Sequence, residues 1–234
     1  MNAIKRNFPN AITALNLLFG CIAIVFIFQN RLAEASWMVI FAAIADFFDG
    51  LVARLLHVSS PIGKELDSLC DVVSFGVAPG MMIYQLINDA PYSWIGLLVP
   101  IFGAIRLARF NIDTRQTTYF IGLPIPANAL LVVSFPLIIE NNNAFGSLYY
   151  SNIHFVCWFF SILAIVCSAL MVSTIKLFSM KVKNMSWAAN KVRYILLILS
   201  LVAIISLGYA GVPVIIALYI LLSLFANPDK EAHE

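Results

Sequence analysis

The segment IADFFDGLVARLLHVSSPIGKELDSLCDVVSFG, residues 44–76, decides the fold of this chain. It places four aspartates inside two stretches that are otherwise strongly apolar, joined by the short polar link HVSSP. An ionised carboxylate is costly in hydrocarbon, so a membrane helix tolerates it only where it faces a partner, a metal ion or a water-filled cavity. The segment therefore predicts two neighbouring helices that turn an acidic face away from lipid.

The composition of the whole chain is that of a membrane protein. Of its 234 residues, 62% are hydrophobic and only 11% are charged, which is far too apolar for a water-soluble domain. A helix needs about 20 mostly apolar residues to cross the hydrocarbon core. Eight stretches are candidates: about 10–29, 32–56, 64–88, 92–112, 122–140, 153–174, 192–208 and 212–226. The predicted fold is all-α, a polytopic integral membrane helix bundle with about eight transmembrane helices.

The last two candidate spans are short and flank a tight turn around Gly208, Gly211 and Pro213. Six spans followed by a re-entrant pair is therefore a second possibility for the topology. We expect residues 1–181 to form the membrane core, and residues 182–234 to form a C-terminal hairpin with a short cytoplasmic tail.

The distribution of cations predicts how the bundle is oriented. Cytoplasmic segments of membrane proteins are enriched in Lys and Arg. With a cytoplasmic amino terminus, every cation except Arg31 falls on or near the cytoplasmic side. This cytoplasmic set comprises Lys5, Arg6, Arg54, Lys64, Arg106, Arg109, Arg115, Lys176, Lys181, Lys183, Lys191, Arg193 and Lys230. The loop at residues 140–152, ENNNAFGSLYYSN, has no Lys or Arg and contains two tyrosines, which is typical of an outer interfacial loop. We expect both termini to be cytoplasmic.

Helical spacing places the four carboxylates on two stripes. One face of the second predicted helix carries a set of residues at short helical intervals: Asp46, Asp49, Gly50 and Ala53. One face of the third carries a set spaced four residues apart: Gly63, Asp67 and Asp71. Because Pro61 favours a helix start soon after the second helix ends, the two helices are antiparallel neighbours. Their acidic stripes can face each other.

Converging carboxylates repel one another unless cations neutralise them. An all-oxygen ligand set selects hard ions such as Mg²⁺, Mn²⁺ or Ca²⁺. Four carboxylates can hold two ions about 3.5–4 Å apart, the arrangement used for in-line attack at phosphorus. Gly50 and Gly63 would let a ligand approach the helix backbone, and Arg54 is well placed to bind phosphate. The pattern predicts a divalent-metal site for a phosphate-containing substrate.

A membrane cation transporter is the alternative from another class, since intramembrane aspartates also mark ion pathways. It accounts for the four carboxylates. It leaves unexplained both Arg54 and the phasing of Gly50 and Gly63 with the acidic stripes.

The same residues carry a resemblance to a known family. They match D-x2-D-G-x2-A-R-x8-G-x3-D-x3-D without a departure, and so resemble the signature of the CDP-alcohol phosphatidyltransferases. Members are integral membrane enzymes that transfer a phosphatidyl or similar group from a CDP-linked donor to an alcohol and release CMP. The resemblance implies a metal site at Asp46, Asp49, Asp67 and Asp71, with Asp71 also the catalytic base. It implies that the residues lining the CDP-diacylglycerol site are Gly50, Ala53, Arg54 and Gly63.

Other segments resemble the branch of this family that uses serine as the acceptor. They are PNAITALNLLFG (9–20), LDSLCDVVSFGVAPG (66–80), RLARFNI (106–112), GLPIPANA (122–129) and LMVSTIKLFSMK (170–181). The resemblance implies transfer from CDP-diacylglycerol to L-serine with Mg²⁺ or Mn²⁺, giving phosphatidylserine and CMP, and it suggests a homodimer. We expect the protein in the cytoplasmic (inner) membrane, with its active site open to the cytoplasm. The same chemistry with glycerol phosphate or inositol phosphate is the nearer alternative.

Three further residues are candidates for the acceptor site. Arg106 and Arg109 lie near the cytoplasmic end of the fourth predicted span, where they could bind the carboxylate of serine. Donor phosphate and a purely topological role are the alternatives for this pair. Ser74 follows Asp71 along the third helix, where it could shape the acceptor pocket or pack in the core.

Overall fold

The structure is a computed structural model that describes residues 3–58, 60–88, 91–113, 119–178 and 187–225. The α-helices are α1 (Ala3–Phe28), α2 (Leu32–Leu55), α3 (Pro61–Asp71), α4 (Ala78–Ile87), α5 (Leu98–Ile112), α6 (Ile125–Asn141), α7 (Asn143–Ser151), α8 (Ile153–Val172), α9 (Trp187–Leu207) and α10 (Gly211–Phe225). A π-helical segment (Val72–Val77) joins α3 to α4, and short 3₁₀ segments precede α5 (Tyr92–Leu97) and α10 (Gly208–Ala210). The predicted all-α fold is confirmed.

The described helices include enough apolar length for an integral membrane protein. Five helical segments could cross a membrane: Phe8–Phe28, Pro61–Ile87, Tyr92–Ile112, Ile153–Val172 and Asn190–Phe225. A sixth is possible if the bent pair Ile125–Asn141 and Ala144–Ser151 forms one span. The membrane helix bundle is confirmed, whereas the count of eight transmembrane helices stays a prediction.

The segment that contains α3 and α4 lies at the centre of the bundle. It is the most buried of the five candidate spans, and its residues Phe75, Met82 and Ile83 are completely buried. Helix α4 packs against α1, α6 and α8, while α2 packs along α1 and α6. From Cys70 onward, the acidic segment is therefore largely enclosed by other helices, whereas the first two turns of α3 are mostly exposed.

Close packing fixes α1 against the π-helical segment. The hydroxyl of Ser74 donates a hydrogen bond to the backbone carbonyl of Asn16 at 3.0 Å. A Cβ atom on Gly20 would overlap the Ser74 side chain, so only glycine allows the two segments to approach this closely. Ser74 follows Asp71 by three residues, so this contact lies one helical turn beyond the last aspartate of the acidic segment.

Two short strands and one helix were not predicted from the sequence. Strand β1 (Tyr119–Ile121) pairs antiparallel with β2 (Lys176–Phe178), with Tyr119 opposite Phe178. Strands of three residues are too short to show an alternating pattern. The predicted outer loop at residues 140–152 is mostly helical. Asn142 and Asn152 cap α7 and α8 by accepting hydrogen bonds from backbone N–H groups at 3.0 Å.

Helices α9 and α10 fold back on each other across residues 208–210. Gly208 adopts a positive φ of 56°, and a Cβ atom on Gly211 would lie 2.7 Å from the backbone oxygen of Ala203. The Tyr219 hydroxyl donates to the Phe178 carbonyl at 3.0 Å, which attaches α10 to β2. The predicted domain boundary at 181/182 lies outside the described residues. So do several of the predicted cytoplasmic cations: Arg115, Lys181, Lys183 and Lys230.

The helix ends separate into two groups at opposite ends of the bundle. At one end, the start of α2, the end of α4, the end of α6 and helix α7 surround a cavity of about 280 Å³. At the other end, the first half of α1, the end of α2 and the start of α3 surround a second cavity, which contains aspartates. Residues 140–151 therefore lie at the end of the bundle opposite the acidic segment.

We predict that a cysteine at Ser147 reacts with a membrane-impermeant maleimide in intact cells, because the cation distribution places α7 outside. Ser147 and Glu65 are both exposed and lie at opposite ends of the bundle. Glu65→Cys is therefore the matched control, and it should react only after permeabilisation. Labelling of Ser147→Cys only after permeabilisation would contradict the predicted orientation.

Candidate active site

The end of α2, the start of α3 and the first half of α1 together form a cavity of about 270 Å³. Its lining includes residues from all three helices and from the link between α2 and α3: Pro9, Asn10, Thr13, Asp49, Gly50, Ala53, Val58, Ser60, Gly63, Lys64 and Asp67. The start of α3 is fixed locally, because the Ser60 hydroxyl accepts a hydrogen bond from the Gly63 N–H at 2.9 Å and Pro61 occupies the first turn. Residues of both predicted stripes thus line one cavity.

Three of the four predicted carboxylates come together as a possible metal site. Asp46, Asp49 and Asp67 each offer an oxygen, and these oxygens lie within 4.8 Å of one another. Asp49 is only 6% exposed, and its Oδ2 has no hydrogen-bond partner among the described residues. A buried carboxylate oxygen without a donor is costly unless a cation binds it. The three carboxylates therefore fit a hard divalent cation.

Asp71 lies beside this triad but outside it. It follows Asp67 by one helical turn, away from the start of α3, and is 8% exposed. Its Oδ1 accepts a hydrogen bond from Nδ2 of Asn16 at 3.2 Å. The side chain of Asp46 interacts with both Asp67 and Asp71, so the four carboxylates form one continuous cluster. The metal-binding role of Asp71 stays a prediction.

Three of the four predicted donor-site residues line the cavity, namely Gly50, Ala53 and Gly63. Apart from its chain neighbours and the backbone of its own helix, no atom of the described residues lies within 4 Å of where a Cβ on Gly50 would stand, so this position faces open space. At Gly63, a Cβ would lie 2.9 Å from the side chains of Asn10 and Ser60. The fourth residue, Arg54, is exposed, and its Nε donates to the Gly50 carbonyl at 2.8 Å. Arg54 therefore adjoins the cavity through Gly50.

Helix α1 contributes to the site, and this contribution was not predicted from the sequence. Asn10 and Thr13 line the cavity, Thr13 interacts with Asp49, and Asn16 donates to Asp71. These three polar residues are spaced three apart in the otherwise apolar stretch Phe8–Phe28, so they share one face. That spacing is the signal that could have identified them.

Lys64 also lines the aspartate cavity, although it was not predicted from the sequence to belong to the donor site. Its Nζ donates to the backbone carbonyl of Asn111 at 3.1 Å, and the Asn111 amide donates to the Ser68 hydroxyl at 2.8 Å. These bonds tie the start of α3 to the end of α5. The aspartate cavity is therefore held against the helix that carries Arg106 and Arg109.

Arg106 and Arg109 line a separate cavity of about 390 Å³ between the end of α5 and residues 171–174 at the end of α8. Arg106 is only 7% exposed, its guanidinium lies 5.2 Å from the centre of the Phe110 ring, and its Nε has no hydrogen-bond partner in the described structure. Its charge interacts with that of Asp71. A buried guanidinium with an unused donor suits an anionic ligand.

Arg109 and Ser74 have observed partners of their own. Arg109 donates through Nη1 to the Val172 carbonyl at 3.3 Å. Ser74 is completely buried, and its hydroxyl donates to Asn16. Burial and this hydrogen bond explain the Ser74 side chain as part of the core, which was one of its two predicted roles. Its other predicted role, in the acceptor pocket, stays a prediction.

Comparison with known proteins agrees with the geometry of the site. A family model described as CDP-alcohol phosphatidyltransferase matches residues 6–156. A CDP-diacylglycerol–serine O-phosphatidyltransferase from Helicobacter pylori is 46% identical over 132 residues, which cover 54% of this chain and 55% of that protein. A protein of the same name from Methanocaldococcus jannaschii is 39% identical over 165 residues, covering 70% of each chain.

A third relative with this name, from Mycobacterium bovis, is 34% identical over 176 residues, which cover 71% of this chain and 59% of that protein. The chain thus spans about half the length of several curated relatives that it matches. The family model nevertheless covers well over half of this chain and includes all four aspartates of the cluster. The chain belongs to the CDP-alcohol phosphatidyltransferase family.

Proposed function

We propose that the protein transfers the phosphatidyl group from CDP-diacylglycerol to the hydroxyl of L-serine, giving phosphatidylserine and CMP. The observation that carries the proposal is the convergence of Asp46, Asp49 and Asp67 beside Asp71, at the positions of the family signature. The names of the relatives support serine as the acceptor.

The aspartate cavity is the proposed donor site. Asp46, Asp49 and Asp67 would hold Mg²⁺ or Mn²⁺, with Asp71 completing a set large enough for two ions. Bound metal would neutralise the diphosphate and stabilise the CMP anion as it leaves. The open backbone at Gly50 allows the nucleotide to approach α2 closely.

The cavity lined by Arg106 is the proposed acceptor site. Serine carries a carboxylate, and this cavity is lined by the buried Arg106 guanidinium. Arg106 can bind the carboxylate by charge-assisted hydrogen bonds. The names of the relatives support serine over glycerol phosphate or inositol phosphate as the acceptor.

Asp71 is the proposed general base. It lies at the end of the carboxylate cluster, and its charge interacts with that of Arg106 in the acceptor cavity. The Asp71 carboxylate takes the proton of the serine hydroxyl as the serine oxygen forms a bond to the lipid-bearing phosphorus. The bond from that phosphorus to the CMP oxygen breaks, and CMP departs towards the open end of the donor cavity. The homodimer suggested by the family resemblance stays a prediction.

We predict that purified protein supplied with CDP-diacylglycerol and Mg²⁺ releases CMP at least about tenfold faster with L-serine than with glycerol 3-phosphate or inositol phosphate. Ethanolamine is the matched control acceptor, because it keeps the hydroxyl and the amine but lacks the carboxylate. It should support little release. Faster CMP release with glycerol 3-phosphate or inositol phosphate would show that serine is not the preferred acceptor. Transport of metal ions across the membrane without CMP release would favour the alternative function, a membrane cation transporter.

We predict that Asp71→Asn lowers kcat by about 10²–10⁴-fold, the usual effect of losing a positioned general base. The KM for CDP-diacylglycerol should stay within a few-fold of the wild-type value. Arg54→Ala should mainly raise that KM, because Arg54 adjoins the donor cavity.

Glu65→Gln is the matched control for these variants, since Glu65 is an exposed carboxylate of α3 and not part of the cluster. Steady-state CMP release should be unchanged in it. If Asp71→Asn loses metal and donor binding as completely as Asp46→Asn, Asp71 is mainly a ligand and the base lies elsewhere.

A further inference from the structure

Asn16 is a completely buried polar residue in the middle of α1, beside the carboxylate cluster. Its Nδ2 donates a hydrogen bond to Oδ1 of Asp71 at 3.2 Å. Its own Oδ1 has no hydrogen-bond partner in the part of the chain that the structure describes. A buried amide with one unpaired end lowers stability relative to an apolar side chain of similar size. Packing alone therefore does not explain why an amide occupies this position.

The backbone carbonyl of Asn16 also accepts a hydrogen bond. The Ser74 hydroxyl donates to the Asn16 carbonyl at 3.0 Å, and the absence of a side chain at Gly20 allows α1 to reach Ser74. Asn16 is thus hydrogen-bonded to two residues: to Asp71 through its side chain, and to Ser74 through its backbone carbonyl. Ser74 belongs to the π-helical segment that follows Asp71. These two bonds fix the Asp71 carboxylate relative to α1.

We propose that Asn16 is a positioning residue for Asp71. By donating to Oδ1, the Asn16 amide limits the rotation of the Asp71 carboxylate and so sets the direction in which its other oxygen, Oδ2, points. An amide suits this task because it donates a hydrogen bond without a negative charge and without competing as a base. The inference rests on the proposed role of Asp71 in the reaction.

Asn16→Leu tests this inference, because leucine keeps the volume and removes the donor. We expect kcat to fall by about 10–100-fold, as when a catalytic group loses its productive geometry. The KM for CDP-diacylglycerol and the half-saturating Mg²⁺ concentration should stay within about threefold of wild type, since the Asn16 side chain donates to Asp71 and makes no hydrogen bond to the triad among the described residues. A wild-type kcat, or an equal loss of metal and donor binding, would overturn the inference.

Ser36→Ala is the matched control. Ser36 is also a completely buried polar residue, and its hydroxyl donates to the Leu32 carbonyl at 2.9 Å, at the start of α2 and away from the carboxylate cluster. Its replacement removes one buried hydrogen bond and should leave kcat within about twofold of wild type. A loss as large as that of Asn16→Leu would mean that removing any buried hydrogen bond perturbs the bundle, and it would overturn the specific role of Asn16.

The double variant Asn16→Leu with Asp71→Asn separates positioning from an independent effect. If Asn16 acts through Asp71, the double variant has the kcat of Asp71→Asn alone. If the fold losses in kcat of the two single variants instead multiply in the double variant, the inference is overturned. The measurements use whichever acceptor supports CMP release by the wild type. A failure of serine as acceptor is then visible in the wild type, and a failure of the positioning role only in the variants.

Discussion

The mutual repulsion of four carboxylates in an apolar bundle constrains the rest of this structure. Asp46, Asp49, Asp67 and Asp71 can be ionised together only if cations and water reach them. The end of α2 and the start of α3 open into a cavity of about 270 Å³, and two of the four carboxylates, Asp49 and Asp67, line it. The same constraint explains why the most buried candidate span carries two of the carboxylates: its acidic face meets α1 and α2 rather than lipid.

Helix α1 connects the carboxylates to the surrounding fold. It contributes Thr13 beside Asp49 and Asn16 beside Asp71, and it approaches the π-helical segment through Gly20. On the other side of the cluster, the charge of Asp71 interacts with that of Arg106 in the second cavity. Asp71 lines neither cavity, but it lies close enough to Arg106, which lines the second, for their charges to interact. In the proposed reaction, this is the position that a base between two substrates must occupy.

The sequence predicted those parts of the site that depend on spacing within one helix. The two acidic stripes follow from the helical repeat, and Asp46, Asp49 and Asp67 meet as predicted. Spacing does not encode which distant segments meet. The wall of the second cavity comes from residues 171–174 at the end of α8, far along the chain from Arg106. The strands β1 and β2 depend on a similar long-range pairing, and the capping role of Asn142 depends on which N–H groups remain free at a helix start.

The central claim is that divalent metal neutralises the aspartate cluster, and binding of Mn²⁺ to the purified protein tests it most directly. The electron paramagnetic resonance signal of free Mn²⁺ should fall as wild-type protein is added, and Mg²⁺ should reverse the change. Asp46→Asn should weaken Mn²⁺ binding at least about tenfold, as expected for the loss of a ligand, whereas Glu65→Gln should bind like wild type. Equal Mn²⁺ binding by wild type and Asp46→Asn, or no binding by wild type, would contradict the account.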